Sequence, residues 1–351
     1  MSSVTLGKDH RSVSFSASLT AVFGPRLQAE VSLARYTAVR IGGPADYLLT
    51  AETADDLAEI VSALWQMDIP FLILGGGSNL LISDAGVRGV VVVNRTRQAR
   101  FDPQLDPPLV WAESGINFGA LARQAAALGL SGLEWASGIP GTLGGAIVGN
   151  AGAHGGEVAG SLARAEVLSR VALPVEGGKW EVGSVREEWP VERFGFGYRS
   201  SLLKAQRGAS AGFTSLAAKA AMSSSESVVL SAVLWLAQSN PGAVQARIER
   251  IAAIRRRNQP PGASMGSMFK NPPGDHAGRL IEAAGLKGHV LGDAEISPVH
   301  ANFFINRGQA TAQDMAGLIR VAQARVAEQF GVNLELEVEL LGDWEQEVGY
   351  E

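Results

Sequence analysis

The sequence contains no cysteine. That absence excludes a disulfide framework, a thiolate nucleophile, a CxxC redox pair and any thiolate-ligated zinc or iron–sulfur cluster. Charge is also sparse: Asp, Glu, Lys and Arg make up 19% of the residues, below the usual quarter. The formal net charge is -5, which argues against a general nucleic-acid binder, because such proteins neutralise phosphates with Lys and Arg. Long apolar runs are missing too. The longest stretch, over 227–237, is far short of the roughly 20 residues that span a bilayer. The Ser-rich start has no continuous apolar core of a signal peptide. No membrane insertion and a cytoplasmic location are therefore expected. Five histidines are present, at 10, 154, 276, 289 and 300. None falls in an HExxH or HxH arrangement, so no metal site is expected.

Glycine is what the chain has in excess: 42 of 351 residues. There is no three-residue period, so the excess is not collagen-like. It is clustered.

The length suggests two or three domains. Residues 1–25 read as a leader without defined structure, and the first ordered unit is expected to begin near Tyr36. Thr53 is the expected N-cap of a helix carrying Leu57, Ile60, Val61 and Leu64, with Asp56 as its capping-box partner. Residues 71–74 and 90–93 read as short buried strands. This first unit is assigned to 26–101. A Pro-rich link over 102–108 opens the second, assigned to 102–240. It holds a strand at 109–112, a helix capped by Asn117 and ended by Gly129, and strands near 165–168, 180–182 and 228–236. Residues 205–226, rich in Ala, Ser and Lys, read as an insertion that is either a loop or a helix. The third unit is assigned to 241–351. Its expected parts are a helix over 243–257 with Val244, Ile248, Ile251 and Ala252 inward, a short helix at 277–284 and a strand at 303–306. Then come a helix capped by Thr311 with Asp314 at N3 and ended by Gly331, and a closing strand over 334–341.

Three segments could carry chemistry. Leu-Gly-Gly-Gly-Ser-Asn at 74–79 follows a strand. Consecutive glycines let backbone N–H groups approach an anion without Cβ obstruction; a tight turn is the alternative. It is neither a Rossmann nor a P-loop fingerprint. Residues 137–156 form the densest glycine tract, interleaved with Ile139, Leu143, Ile147 and Val148. A flexible linker would be polar throughout, so this tract is expected to be packed. Two such tracts could hold the pyrophosphate and ring system of one dinucleotide. The third segment, Gly-Ser-Met-Phe-Lys-Asn-Pro at 266–272, lacks a GxSxG elbow. Lys270 and Asn271 beside Ser267 suit an anionic substrate.

Taken together, eight stretches in order resemble the UDP-N-acetylenolpyruvoylglucosamine reductase family of flavoenzymes. They are residues 36–45, 74–80, 137–152, 196–204, 266–272, 277–288, 300–306 and 334–342. The resemblance implies an α+β fold: a two-part FAD-binding domain of the PCMH (vanillyl-alcohol-oxidase-like) type and a C-terminal α+β substrate-binding domain. It implies non-covalent FAD, NADPH as co-substrate, and reduction of UDP-N-acetylglucosamine enolpyruvate to UDP-N-acetylmuramate for peptidoglycan synthesis. A monomer, or at most a weak oligomer, is expected. It places the catalytic roles on Ser267 as proton donor, Glu337 as a second acid or stabilising carboxylate, and Arg199 as the partner of the substrate carboxylate. Pattern alone cannot choose Glu337 over Glu335 and Glu339, which would share one face of a strand. FAD would be held by Gly75, Gly76, Gly77, Ser78, Asn79, Ser137, Gly138, Ile139, Pro140, Gly141, Thr142, Gly144, Gly145, Asn150 and Gly152. The UDP-sugar would meet Tyr198, Lys270, Asn271 and Arg257, with Arg256 an alternative to the last. The insertion has Phe213 but no Tyr, which points to the family type without a substrate-capping loop there. Two other readings compete: an FAD-linked alcohol or sugar oxidase of the wider superfamily, and a non-catalytic flavin binder.

Overall fold

The computed structural model describes residues 9–175, 179–206 and 226–344. Most of the 205–226 insertion, including Phe213, lies outside the described residues. The first unit comprises α1 (Asp9–Phe23), β1 (Gln28–Ser32), β2 (Pro44–Ala51), α2 (Ala54–Gln66), β3 (Phe71–Leu74), β4 (Leu80–Ile82) and β5 (Val87–Asn94). Its sheet runs β1-β2-β5-β3, with β5 parallel to both of its neighbours. Thr53 caps α2, its hydroxyl accepting from the Asp56 N–H at 3.1 Å, and Asp56 accepts from the Glu52 N–H in return.

The expectation of an unstructured leader over 1–25 is corrected at its C-terminal end. Leu19 is wholly buried and Phe23 nearly so, in the core that contains Leu57, Val61 and Val90. Apolar side chains at this helical spacing become ordered because a ready apolar surface receives them. The first unit thus begins well before Tyr36.

The second unit follows as β6 (Ala99–Asp102), β7 (Leu109–Glu113), α3 (Phe118–Ala127), β8 (Leu130–Ser131), α4 (Leu143–Val148), β9 (Gly152–Ala153), β10 (Gly156–Glu157) and α5 (Val158–Ser161). It continues with β11 (Leu162–Val175), β12 (Lys179–Pro190), α6 (Leu202–Gln206), β13 (Ser227–Trp235) and β14 (Ala237–Gln238). Its main sheet is antiparallel, in the order β12-β11-β13-β7-β6. Helix α2 packs on β12 and β13, so one apolar core spans both units and includes Leu168, Val228 and Leu230. Glu113 reinforces the junction. Its buried carboxylate accepts the Ala54 N–H at the start of α2 and the N–H groups of Arg97 and Gln98.

Helix α7 (Pro241–Asn258), expected in the third unit, packs on α3 and β8 of the second. The third unit contains β15 (Ala263–Ser267), α8 (Ala277–Ala283), β16 (Val290–Leu291), β17 (Ala294–Ile296), β18 (Phe303–Asn306), α9 (Ala312–Phe330) and β19 (Glu339–Leu341). Its antiparallel sheet, β15-β18-β17-β16, is covered by α8 and α9. Thr311 and Asp314 form a full capping box, and Gly331 ends α9 in the left-handed region. On α7 only Val244 and Ile248 of the expected inward face are buried. They meet Ala126 alone among buried apolar groups, too small a contact to cover Ile251 and Ala252.

The chain returns to the first unit at its end. β19 pairs in parallel with β4, and Asp84 accepts the N–H groups of Ala312 and Gln313. The continuous strand expected over 334–341 does not form. Leu336 makes a single bridge to Phe269, residues 337–338 bend, and pairing with β4 resumes at Glu339.

Candidate active site

The bend at Glu337 removes the shared face on which Glu335, Glu337 and Glu339 were expected. Each meets a different cation. Glu335 pairs with Lys270 at 3.3 Å, Glu337 with Arg199 at 2.7 Å and Glu339 with Lys204 at 3.4 Å. The Glu335 side chain is 75% exposed, against 18% for Glu337, so solvent screening leaves little of the first pair. Glu335 is thus set apart as the solvated member, and Glu337 is the one of the three that pairs with Arg199.

Arg199 is held in place from several sides. Its Nε donates to Glu337 Oε1 at 2.7 Å and its Nη2 to the Gly152 carbonyl at 2.8 Å. Its backbone sits at φ 54°, a region that non-glycine residues seldom adopt and that is enriched at functional sites. The guanidinium lies 5.3 Å from the Tyr198 ring centroid, and Tyr198 itself is exposed. Nη1 has no hydrogen-bond partner among the described residues. One edge of the guanidinium is therefore anchored and the remainder can receive a carboxylate.

Ser267 ends β15 and is half-buried, and its hydroxyl has no partner among the described residues. The next residue connects it to Glu337: the Glu337 N–H donates to the Met268 carbonyl at 2.9 Å. The carboxylate and the guanidinium thus meet from separate segments, and the backbone beside the proton-donor candidate is bonded to that of Glu337.

The two glycine tracts also meet. A Cβ on Gly75 would lie 2.4 Å from Thr142 Oγ1, and one on Gly76 would lie 2.7 Å from the Gly141 Cα. Ser78 donates to the Pro140 carbonyl at 3.2 Å. Gly77 adopts φ 57°, and its Cβ would fall 2.2 Å from the Tyr36 carbonyl oxygen. Only glycine permits this approach. The N–H groups of Gly76, Gly77 and Ser78 have no partner among the described residues. A contiguous backbone surface with spare donors is a fit for a pyrophosphate-bearing cofactor.

Other residues named from sequence have different placements. Asn79 serves Glu337: its Nδ2 donates to the Glu337 carbonyl at 3.0 Å, and its own carbonyl accepts from the Glu339 N–H. Asn150 is buried with its amide spent internally, donating to Glu157 and Gly197 and accepting from Ala159. Thr142 caps α4, Gly144 packs on Ser114, and Gly145 lies within the same short helix. Ser137 is buried, its carbonyl accepting from Arg123. Ile139 packs against the core of the second unit. The Asn271 Oδ1 accepts from the Ala277 N–H. Arg256 and Arg257 are exposed at the end of α7 with no described ionic partner. The arginine that reaches the glycine tract is Arg255. A Cβ on Gly138 would lie 2.5 Å from its Cδ, and burial lowers its pKa from the ordinary arginine value. Sequence reading passed over Arg255 and Lys204, though the helical offset of Arg255 from Arg257 could have separated the two arginines.

Among the described residues no group of His, Asp and Glu is arranged to hold a metal ion, and no helix is long and apolar enough to cross a membrane.

Residues 45–177 match an FAD binding domain, and residues 258–341 match the UDP-N-acetylenolpyruvoylglucosamine reductase C-terminal domain. The UDP-N-acetylenolpyruvoylglucosamine reductase of Chloroflexus aggregans is 44% identical over 317 residues, covering 90% of this chain and 97% of that protein. The Bacillus velezensis protein of the same name is 36% identical over 312 residues, covering 88% and 92%. The crystal structure of the Thermus caldophilus enzyme superposes with a TM-score of 0.67 at 34% identity, covering 90% of this chain and 99% of that one. This chain belongs to the UDP-N-acetylenolpyruvoylglucosamine reductase family.

Proposed function

We infer that the protein is an FAD-dependent oxidoreductase that reduces UDP-N-acetylglucosamine enolpyruvate to UDP-N-acetylmuramate in peptidoglycan precursor synthesis, with NADPH as reductant, acting in the cytoplasm. The observation that carries this reading is the Arg199–Glu337 pair, tied to Gly152 of one glycine tract and to the backbone next to Ser267, with the two glycine tracts in contact. When bound, FAD supplies the hydride that adds to C3 of the enolpyruvyl ether.

The fit to FAD rests on the close approach of residues 75–77 to 141–142 and on the spare N–H groups of Gly76, Gly77 and Ser78. Asn150 and Asn79 also brace the surrounding fold through their amides. Hydride addition at C3 leaves negative charge over C2 and the carboxylate of the substrate. Arg199, with Nη1 uncommitted, is suited to receive that carboxylate through charge-assisted hydrogen bonds. Its bond to Glu337 fixes the guanidinium beforehand, so little reorganisation accompanies charge development. The half-buried Ser267 hydroxyl delivers the proton to C2. A serine is a weak acid in water, so its contribution depends on placement beside groups that favour the transfer. Exposed Tyr198 and Asn271 and half-buried Lys270 are assigned to the UDP-sugar; Arg255 replaces Arg257 in that set.

The wider-superfamily oxidase reading does not explain why a guanidinium is held ready for a carboxylate. The test is anaerobic. Purified holoprotein should be yellow, bleached by NADPH but not by simple alcohols, and re-coloured by the enolpyruvyl ether. A colourless protein that takes up no FAD, or one whose oxidised flavin is bleached by alcohols and whose reduced flavin is not re-coloured by the enolpyruvyl ether, refutes the reading.

A further inference from the structure

Asn302 precedes β18 and is 3% exposed. Its side-chain amide faces the backbone of Phe269. The Phe269 N–H donates to Oδ1 at 2.9 Å, and Nδ2 donates to the Phe269 carbonyl at 2.8 Å. The Asn302 carbonyl accepts from the Met268 N–H at 2.7 Å. One buried residue therefore makes three hydrogen bonds to the two residues that follow Ser267.

Sheet pairing does not provide this support. The register between β15 and β18 shifts between Ser264 and Ser267, and β15 ends at Ser267. Gly266 takes φ 80° at the irregularity. Beyond it the backbone must be satisfied by other groups, and the Asn302 amide takes the place of a neighbouring strand. The same dipeptide also carries Glu337: the Met268 carbonyl accepts from the Glu337 N–H, and Phe269 bridges Leu336. Met268 and Phe269 are themselves buried at 0% and 1% exposure, so their side chains resist a shift of this backbone.

We propose that Asn302 is a positioning residue for proton transfer: by clamping Met268 and Phe269 it sets the Ser267 hydroxyl against Glu337 and Arg199. The role rests on the reading of Ser267 as the proton donor. Only the step that needs Ser267 depends on it. Flavin reduction by NADPH does not use the Ser267 proton.

The test uses the holoprotein with Asn302→Asp and Asn302→Ala. Asp keeps the acceptor for the Phe269 N–H and loses the donor to its carbonyl; Ala loses both. Both variants should retain FAD and be reduced by NADPH within about twofold of wild type. Reoxidation by the enolpyruvyl ether should slow about 10-fold for Asp and about 100-fold for Ala, the scale of loss for a misplacement near 1 Å. The solvent deuterium isotope effect on reoxidation should grow, since proton transfer becomes limiting. In a Ser267→Ala background, Asn302→Asp should slow reoxidation no further, because coupled residues are not additive. If Asn302→Ala does not fold, the Asp variant and this double variant decide.

Reoxidation of Asn302→Asp at the wild-type rate with an unaltered isotope effect overturns the role. So does equal slowing of both half-reactions with loss of FAD, the pattern of a merely structural residue. A wild-type protein that the enol ether fails to reoxidise overturns the functional reading as well.

Discussion

The close approach of the glycine tracts can be tested with a single methyl group. Gly76→Ala needs no unusual backbone angle, and its Cβ would lie 2.7 Å from the Gly141 Cα. Ordinary carbon–carbon contacts are about 3.5–4.0 Å, so the loops must separate by roughly 1 Å. Overpacking of this kind costs about 1–3 kcal/mol. The free protein relieves the strain by parting the loops, but FAD binding must bring them together again. The affinity for FAD should therefore fall by about 5- to 150-fold, taking about 1.4 kcal/mol per factor of ten. Titration of apoprotein with FAD, followed by quenching of flavin fluorescence, measures it directly. Gly285→Ala is the control. That glycine has φ 74° with no atom within 4 Å of the added Cβ, so it incurs backbone strain of about 1–2 kcal/mol with no effect on FAD. If Gly76→Ala binds FAD as tightly as wild type, the 76/141 contact does not frame the cofactor site and the reasoning fails.

Other expectations follow from single contacts. Arg199→Lys cannot reproduce both the Glu337 and Gly152 bonds, because an ammonium lacks the planar fork. Reoxidation by substrate should slow about 10- to 100-fold, roughly 1.4–2.8 kcal/mol, while reduction by NADPH stays near wild type in stopped-flow measurement. Leu19→Ala should cost about 2–5 kcal/mol of stability without changing FAD affinity, which denaturant unfolding and titration separate; a neutral effect would remove α1 from the core. Burial lowers the His300 pKa, and its Nδ1 accepts the Asn302 N–H at 3.2 Å. The unfolded chain therefore binds a proton first. Stability should be full above about pH 6.5 and decline as pH falls from there through the lower folded value. His300→Gln should flatten that slope in pH-dependent unfolding.

The local parts of the fold were legible because local groups determine them. Thr53 with Asp56, and Thr311 with Asp314, form caps wherever the chain places them. The β-branched run inside β5 needs a buried sheet. Packing of the tract at 137–156 could be read from its interleaved apolar residues, but not α4 within it, nor which glycine meets which. Those depend on distances between units. Glu337 illustrates the limit. Alternation of Glu335, Glu337 and Glu339 with apolar residues gives a strand by pattern. Competing bonds from Asn79, Met268 and Arg199 break it, and none of those partners is near in sequence. For Asn79 and Asn150 the positions in Gly-rich runs were visible, while the protein groups that bond their amides were not. Asn302 left no local signal, since its partners Met268 and Phe269 lie on a separate strand end.

Ser267 is the residue proposed to deliver the proton that completes reduction of the enol ether. Single-turnover reoxidation of NADPH-reduced Ser267→Ala under anaerobic conditions tests it most directly. The flavin should be reduced at the wild-type rate, and its reoxidation by the enolpyruvyl ether should be slower by about 10²- to 10⁴-fold, the usual worth of a positioned general acid. Reoxidation of the variant at the wild-type rate would contradict the account.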